Sequence, residues 1–105
     1  MTNKLSDTLK ERGGRYGEFK DQAVIAVALK NVLRYQWSDD LLTLTIRPGW
    51  TCMEPYQQHA LEIMCDKMAR IVNGCDPNYL DSWLDLAGYA TLVRERLEKE
   101  GVGHD

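Results

Sequence analysis

Glu62-Ile-Met-Cys-Asp66-Lys67-Met-Ala-Arg70-Ile-Val-Asn73-Gly74-Cys-Asp76-Pro77-Asn78-Tyr79-Leu-Asp81-Ser-Trp83-Leu-Asp85-Leu-Ala-Gly88-Tyr89 is the stretch that decides the fold. Two amphipathic segments meet at a Gly/Pro turn. Upstream of the turn, Leu61, Met64, Cys65, Met68, Ile71 and Val72 fall on one face at 100° per residue. Downstream, Trp83, Leu86, Ala87, Ala90, Val93 and Leu97 do the same. Pro55 suits a first helical turn and Gly74 a helix end. The short turn over residues 74–78 makes the two helices antiparallel neighbours, about 55–74 and 79–99.

Outward from that hairpin, a further helix is expected from about Lys20 to Tyr35. Phe19, Ala23, Ala26, Leu29, Val32 and Leu33 supply its buried face. A short first helix over about Leu5 to Glu11 ends at Gly13-Gly14, and Arg15-Tyr16-Gly17 follows as a turn. Residues 36–54 are the least regular part. Leu42 to Ile46 alternates like a strand, but no partner strand is evident and Pro48-Gly49 signals a turn, so the segment reads as a long loop. The expectation is an all-α, four-helix domain spanning 1–105 as one unit.

Composition narrows the class. The 105 residues are 44% hydrophobic and 28% charged, ordinary for a globular protein. A net charge of −3 argues against duplex nucleic acid as partner. No apolar run is long enough to span a membrane and no signal-peptide core opens the chain, so a cytoplasmic protein is expected. Cys52, Cys65 and Cys75 lack Cys-x-x-Cys spacing and read as reduced thiols; His59 and His104 share no zinc-ligand spacing with them.

The charges beside the helical seam are the candidate chemistry. Glu62/Asp66 and Asp81/Asp85 are i,i+4 pairs on neighbouring helices and could converge on Mg²⁺. They could equally be acids at a helix start and on a solvated face. Lys67, Arg70, Arg12 and Arg15 are candidates to neutralise phosphate, since the guanidinium fork matches phosphate oxygens. Tyr16, Trp50 and Tyr89 are candidate stacking partners for a base, and Asp81 or Asp85 candidate acceptors from ribose or base donors. Gly88, inside a helix where glycine costs about 1 kcal/mol, implies a close approach to a helix, a subunit or a ligand.

Arg12-Gly-Gly-Arg15-Tyr16-Gly-Glu-Phe19, Lys67-Met-Ala-Arg70-Ile-Val-Asn73-Gly74, Asp76-Pro-Asn-Tyr79 and Asp81-Ser-Trp83-Leu-Asp85-Leu-Ala-Gly88-Tyr89-Ala90 together resemble a family of small phage and prophage proteins of unassigned function. The resemblance covers about residues 8–97 apart from the 36–54 segment. More remotely, the acid-bearing helical hairpin is similar to the all-α nucleotide pyrophosphohydrolases of the MazG and dUTPase type. Those carry Glu-x-x-Glu and Glu-x-x-Asp, whereas the acids here are spaced by four. In kind, a small phage-like helical chain with arginines, a Gly turn and loop aromatics also looks like the oligomeric phage proteins that sequester nucleotide defence signals, and that likeness implies a nucleotide-type ligand bound without cofactor by a homo-oligomer. Two other readings remain open. One is a Mg²⁺-dependent pyrophosphohydrolase, with metal on Glu62, Asp66, Asp81 and Asp85. The other is a protein-binding inhibitor module.

Overall fold

The computed structural model describes Leu5, residues 15–74 and residues 76–101. Among these residues are four helices and one two-stranded sheet. Helix α1 is Phe19–Arg34, strands β1 and β2 are Tyr35–Ser38 and Thr43–Ile46, and helix α2 is the single turn Pro48–Thr51. Helices α3 and α4 are Pro55–Asn73 and Leu80–Lys99. The long helices match the expected periodic segments to within a residue or two. No helix of the described residues is long and apolar enough to cross a membrane.

Helix α3 starts where the sequence provides for it. Pro55 takes the first position, and the backbone N–H of Glu54 donates to Gln57 Oε1 at 2.9 Å. It stops at Asn73, whose successor Gly74 is extended. Helix α4 starts after the Asp76-Pro77-Asn78 turn, where Trp83 Nε1 donates back to the Pro77 carbonyl at 2.8 Å.

One correction concerns residues 36–54. They form no irregular loop: β1 and β2 pair antiparallel, Tyr35 opposite Ile46 and Trp37 opposite Leu44. The partner strand is the Tyr35-Gln-Trp-Ser38 run, which follows directly on α1 with no turn residue between them and so reads as a helix end. Arg47 ties the hairpin base to α1, its backbone N–H donating to the Arg34 carbonyl and its Nε to the Val32 carbonyl, each at 2.7 Å. The expected first helix over 5–11 lies outside the described residues apart from Leu5, and Gly13-Gly14 lies outside them too. Arg15 and Tyr16 are helical instead of a turn, and Gly17 (φ +74) makes the break that follows.

The three long helices pack in a definite order. Helix α3 lies between α1 and α4, which make no comparable contact with each other. The three helices form one layer instead of enclosing a core. The fully buried side chains are accordingly small and central: Ala60, Cys65 and Ala69 on α3, with Ala26 from α1 and Ser82 from α4. Cys65 is 0% exposed. Several residues expected in the core are not there. Phe19 is 80% exposed and Trp83 52% exposed, with Val32, Val72 and Ala87 also outside. A helix with a neighbour on only one side leaves the rest of its apolar arc in water.

Candidate ligand site at the helix-turn junction

The Arg15–Glu18 segment crosses the C-terminal end of α3 and the turn leading to α4. Asn73, the last residue of α3, holds it there: Nδ2 donates to the Tyr16 carbonyl at 2.8 Å and to the Glu18 carbonyl at 2.9 Å. The approach is close enough that a Cβ on Gly17 would run into Asn73, and one on Gly74 into the Arg15 backbone. Both glycines are therefore required by the fit of two backbones, in addition to the positive φ at Gly17.

Two arginine–tyrosine pairs flank this crossing. The Arg15 guanidinium stands 3.7 Å from the ring centroid of Tyr79 and 3.8 Å from an Asp76 carboxylate oxygen. The Arg70 guanidinium stands 5.7 Å from the ring centroid of Tyr16. Tyr79 in turn donates its hydroxyl to Asp81 Oδ2 at 3.0 Å. That hydrogen bond to the neutral phenol, assisted by burial, pushes the Tyr79 phenol up from its ordinary value, with Arg15 pulling it down. Arg70 has a different setting from the other part-buried cations around the helix seams. Lys30, Arg34, Lys67 and Arg15 each face a carboxylate. Half-buried Arg70 faces Tyr16 and no carboxylate at ion-pair distance among the described residues.

The four carboxylates do not converge. Glu62 and Asp66 point at α1, where Arg34 Nη2 is within 2.6 Å of Glu62 and Lys30 Nζ within 2.9 Å of Asp66. The stripe read as a ligand edge is in fact the α1–α3 seam, closed by two rungs one turn apart on each helix. Asp85 faces the other flank and takes Lys67 Nζ at 3.1 Å. Asp81 serves Tyr79. No group of three or more His, Cys, Asp or Glu side chains among the described residues is arranged to hold a metal ion. Of the acids expected to share a metal, Glu62 and Asp66 lie on the α1 side of α3, and Asp81 and Asp85 on the α4 side.

Arg15, Tyr16, Arg70 and Asp81 are thus brought to one end of the α3–α4 pair, with Lys67 and Asp85 one turn further along. Tyr89 lies beyond Asp85 on an open face of α4, beside a shallow groove of about 390 Å³ whose lining, Leu84, Asp85, Gly88 and Leu92, comes from that helix alone. A Cβ at Gly88 would meet nothing within 4 Å among the described residues, so none of them demands that glycine. Trp50 is not part of this cluster. It lies on α2 under the Arg34 guanidinium, 5.6 Å from ring centroid to cation, and its carbonyl accepts from Gln58 Nε2 at 2.9 Å. From Gln58 to Arg70 is about 18 Å along α3 at 1.5 Å per residue. Arg12 lies outside the described residues.

Asn73, Lys30 and Arg34 were not among the expected functional residues. The i,i+4 spacing of Lys30 and Arg34 mirrors that of Glu62 and Asp66, and that match was the available signal for the seam. Asn73 offered none, since its carbonyl partners Tyr16 and Glu18 lie more than fifty positions away. Comparison with protein-family models, with curated proteins and with solved structures finds no match to this chain.

Proposed function

We propose that the chain is a binding protein for a phosphate-bearing, nucleotide-type ligand, held at the junction of the Arg15–Glu18 segment with α3 and α4. The observation that carries this reading is Arg70, a half-buried guanidinium laid over Tyr16 with no carboxylate partner among the described residues. A cation so placed keeps its N–H fork available for phosphate oxygens. Arg15 adds a second positive charge beside it, Asp81 and Asp85 accept from sugar or base donors, and the Tyr89 groove takes the base. The ligand is captured and not cleaved in this reading, because Glu62 and Asp66 pair with Arg34 and Lys30 on the α1 side, away from Asp81 and Asp85. The chain acts as a homo-oligomer in a host cytoplasm, by analogy in kind with small helical phage proteins that sequester nucleotide signals.

The test is thermal melting against a panel of linear and cyclic nucleotides, each with Mg²⁺ and with chelator. A ligand at about 100 times its dissociation constant adds near 2.7 kcal/mol, a shift of several degrees in a domain this small. A shift that survives chelator, leaves the nucleotide intact and vanishes in Arg70→Ala is the expected result. A shift that requires Mg²⁺ and releases pyrophosphate would turn the reading to the hydrolase. No shift with any nucleotide would overturn it.

A further inference from the structure

The β1–β2 hairpin carries its apolar side chains on the uncovered face. The register puts Tyr35, Trp37, Leu44 and Ile46 together on one side and Gln36, Ser38, Thr43 and Thr45 on the other. The polar side is the more sheltered one, with Ser38 and Thr45 half-buried, while Trp37 is 58% and Leu44 60% exposed. At the tip, Leu41 and Leu42 are more exposed still. An isolated two-stranded hairpin is marginal in water and needs a cover on its apolar face. Beyond its junction with α1 this one has none among the described residues.

The tip adds an independent sign. Leu42 has φ +54, a left-handed conformation that glycine or asparagine adopts far more readily than leucine. The turn is nonetheless firmly held, with Trp37 Nε1 donating to Asp39 Oδ1 and the Leu41 backbone N–H to Ser38 Oγ. A leucine kept in a backbone conformation that disfavours it, with its side chain in water, points to a use for that side chain outside the chain.

We infer that the hairpin is a homodimerisation arm. The apolar face of Tyr35, Trp37, Leu44 and Ile46, extended by Leu41 and Leu42, packs face to face against the same face of a second copy. The six side chains expose roughly 700 Å² per chain, above the about 300–600 Å² of the largest patch on a typical monomer. Two such arms bury up to about 1,400 Å² in total when the tip leucines are covered with the face, within the range of a standard stable interface. The strand positions of the face carry no charge; Asp39 meets its edge at the tip, where it accepts from Trp37 Nε1, and Arg47 is tied back to Val32. Uncharged, aromatic-containing strand positions are the composition of an interface core, and a copy of the chain is the partner present wherever the chain is made. Two stacked faces related by a two-fold axis also satisfy self-complementarity without a second patch. This deepens the oligomeric part of the proposed function and does not depend on the ligand.

The experiment is the solution mass of the full chain by light scattering, for the natural protein, Leu44→Lys and Leu44→Glu. The expected result is a mass near twice 12.1 kDa for the natural chain and a folded monomer for each variant, with unchanged helical circular dichroism. Mixing the two variants should restore the dimer through opposite charges across the two-fold. A monomeric natural chain, or an oligomer untouched by either substitution, would overturn the inference. Should the variants fail to fold, Trp37 fluorescence in a Trp50→Phe, Trp83→Phe chain decides. Emission typical of a buried indole at high concentration supports the arm, and solvent-exposed emission at every concentration overturns it. Nucleotide melting run on the same monomeric variants separates failure of the arm from failure of the ligand site.

Discussion

The side chain of Asn73 spans two backbone carbonyls at once, and one of them, that of Tyr16, lies 2.8 Å away across 57 positions of sequence. This single amide fixes the Arg15–Glu18 segment to the end of α3 and with it the position of both arginine–tyrosine pairs. Removing it leaves the Tyr16 carbonyl in a partly buried site without its donor.

Asn73→Ala is therefore expected to cost about 2 kcal/mol, two hydrogen bonds at roughly 1 kcal/mol each, read as a lowered urea midpoint at unchanged slope. Asn73→Asp should be no better, because an ionised carboxylate cannot donate to either carbonyl. Both variants should also weaken any nucleotide-induced shift, since Arg15 and Tyr16 lose their anchor.

The glycines divide into two kinds, and substitution by alanine separates them. Gly17→Ala and Gly74→Ala should each destabilise by more than about 1 kcal/mol, through positive φ at the first and backbone collision at both. Gly88→Ala meets nothing among the described residues and should stabilise α4 by up to about 1 kcal/mol. A Gly88→Ala chain that melts higher yet binds nucleotide more weakly would place the ligand in the Tyr89 groove.

Cys65 gives a pH dependence with a defined direction. Burial pushes its thiol up from the ordinary value, with Lys30 pulling the other way. The folded protein then holds that proton more tightly than the unfolded chain. The resulting stability is full below the ordinary thiol value and is lost as pH rises through the raised one. Urea midpoints measured from about pH 8 to pH 10 should fall, and the fall should be shallower in Cys65→Ala. In the same range a thiol reagent should modify exposed Cys52 quickly and Cys65 only on unfolding.

The two α1–α3 rungs make a prediction that the metal grouping does not. A double-mutant cycle on Lys30 and Asp66, both partly exposed, should return a coupling of about 0.5–1 kcal/mol in chelator as in Mg²⁺. A coupling that changes sign when Mg²⁺ is added would mean that Asp66 leaves Lys30 for a metal.

Much of the helical scaffold is readable from residue types alone. The 3.6-residue recurrence of apolar side chains marks α1, α3 and α4, and Pro55, Gly74 and Asp76-Pro77 mark their ends, because helix formation and termination depend on neighbours within a turn. The hairpin at 35–46 was half visible: Thr43 to Ile46 alternates, but its partner Tyr35–Ser38 runs straight on from a helix with no turn residue between them. The site residues show the same division. Arg15, Tyr16, Arg70 and Asp81 could be singled out by chemistry, and the structure brings them together. Glu62 and Asp66 could be singled out too, but not the Lys30 and Arg34 that claim them.

The sequence by itself determined that this chain makes amphipathic helices, where they begin and end, and that its acids and bases cluster beside the α3–α4 turn. Those properties follow from local hydrogen bonding and periodicity. The tertiary structure alone decided that α3 sits between two helices that do not meet. Because of that order, Glu62 and Asp66 face α1 and Asp85 faces the opposite flank, and Trp83 and the hairpin face stay in water. The amphipathic pattern marks which arc of a helix or strand seeks cover. Which element supplies that cover depends on partners dozens of residues away.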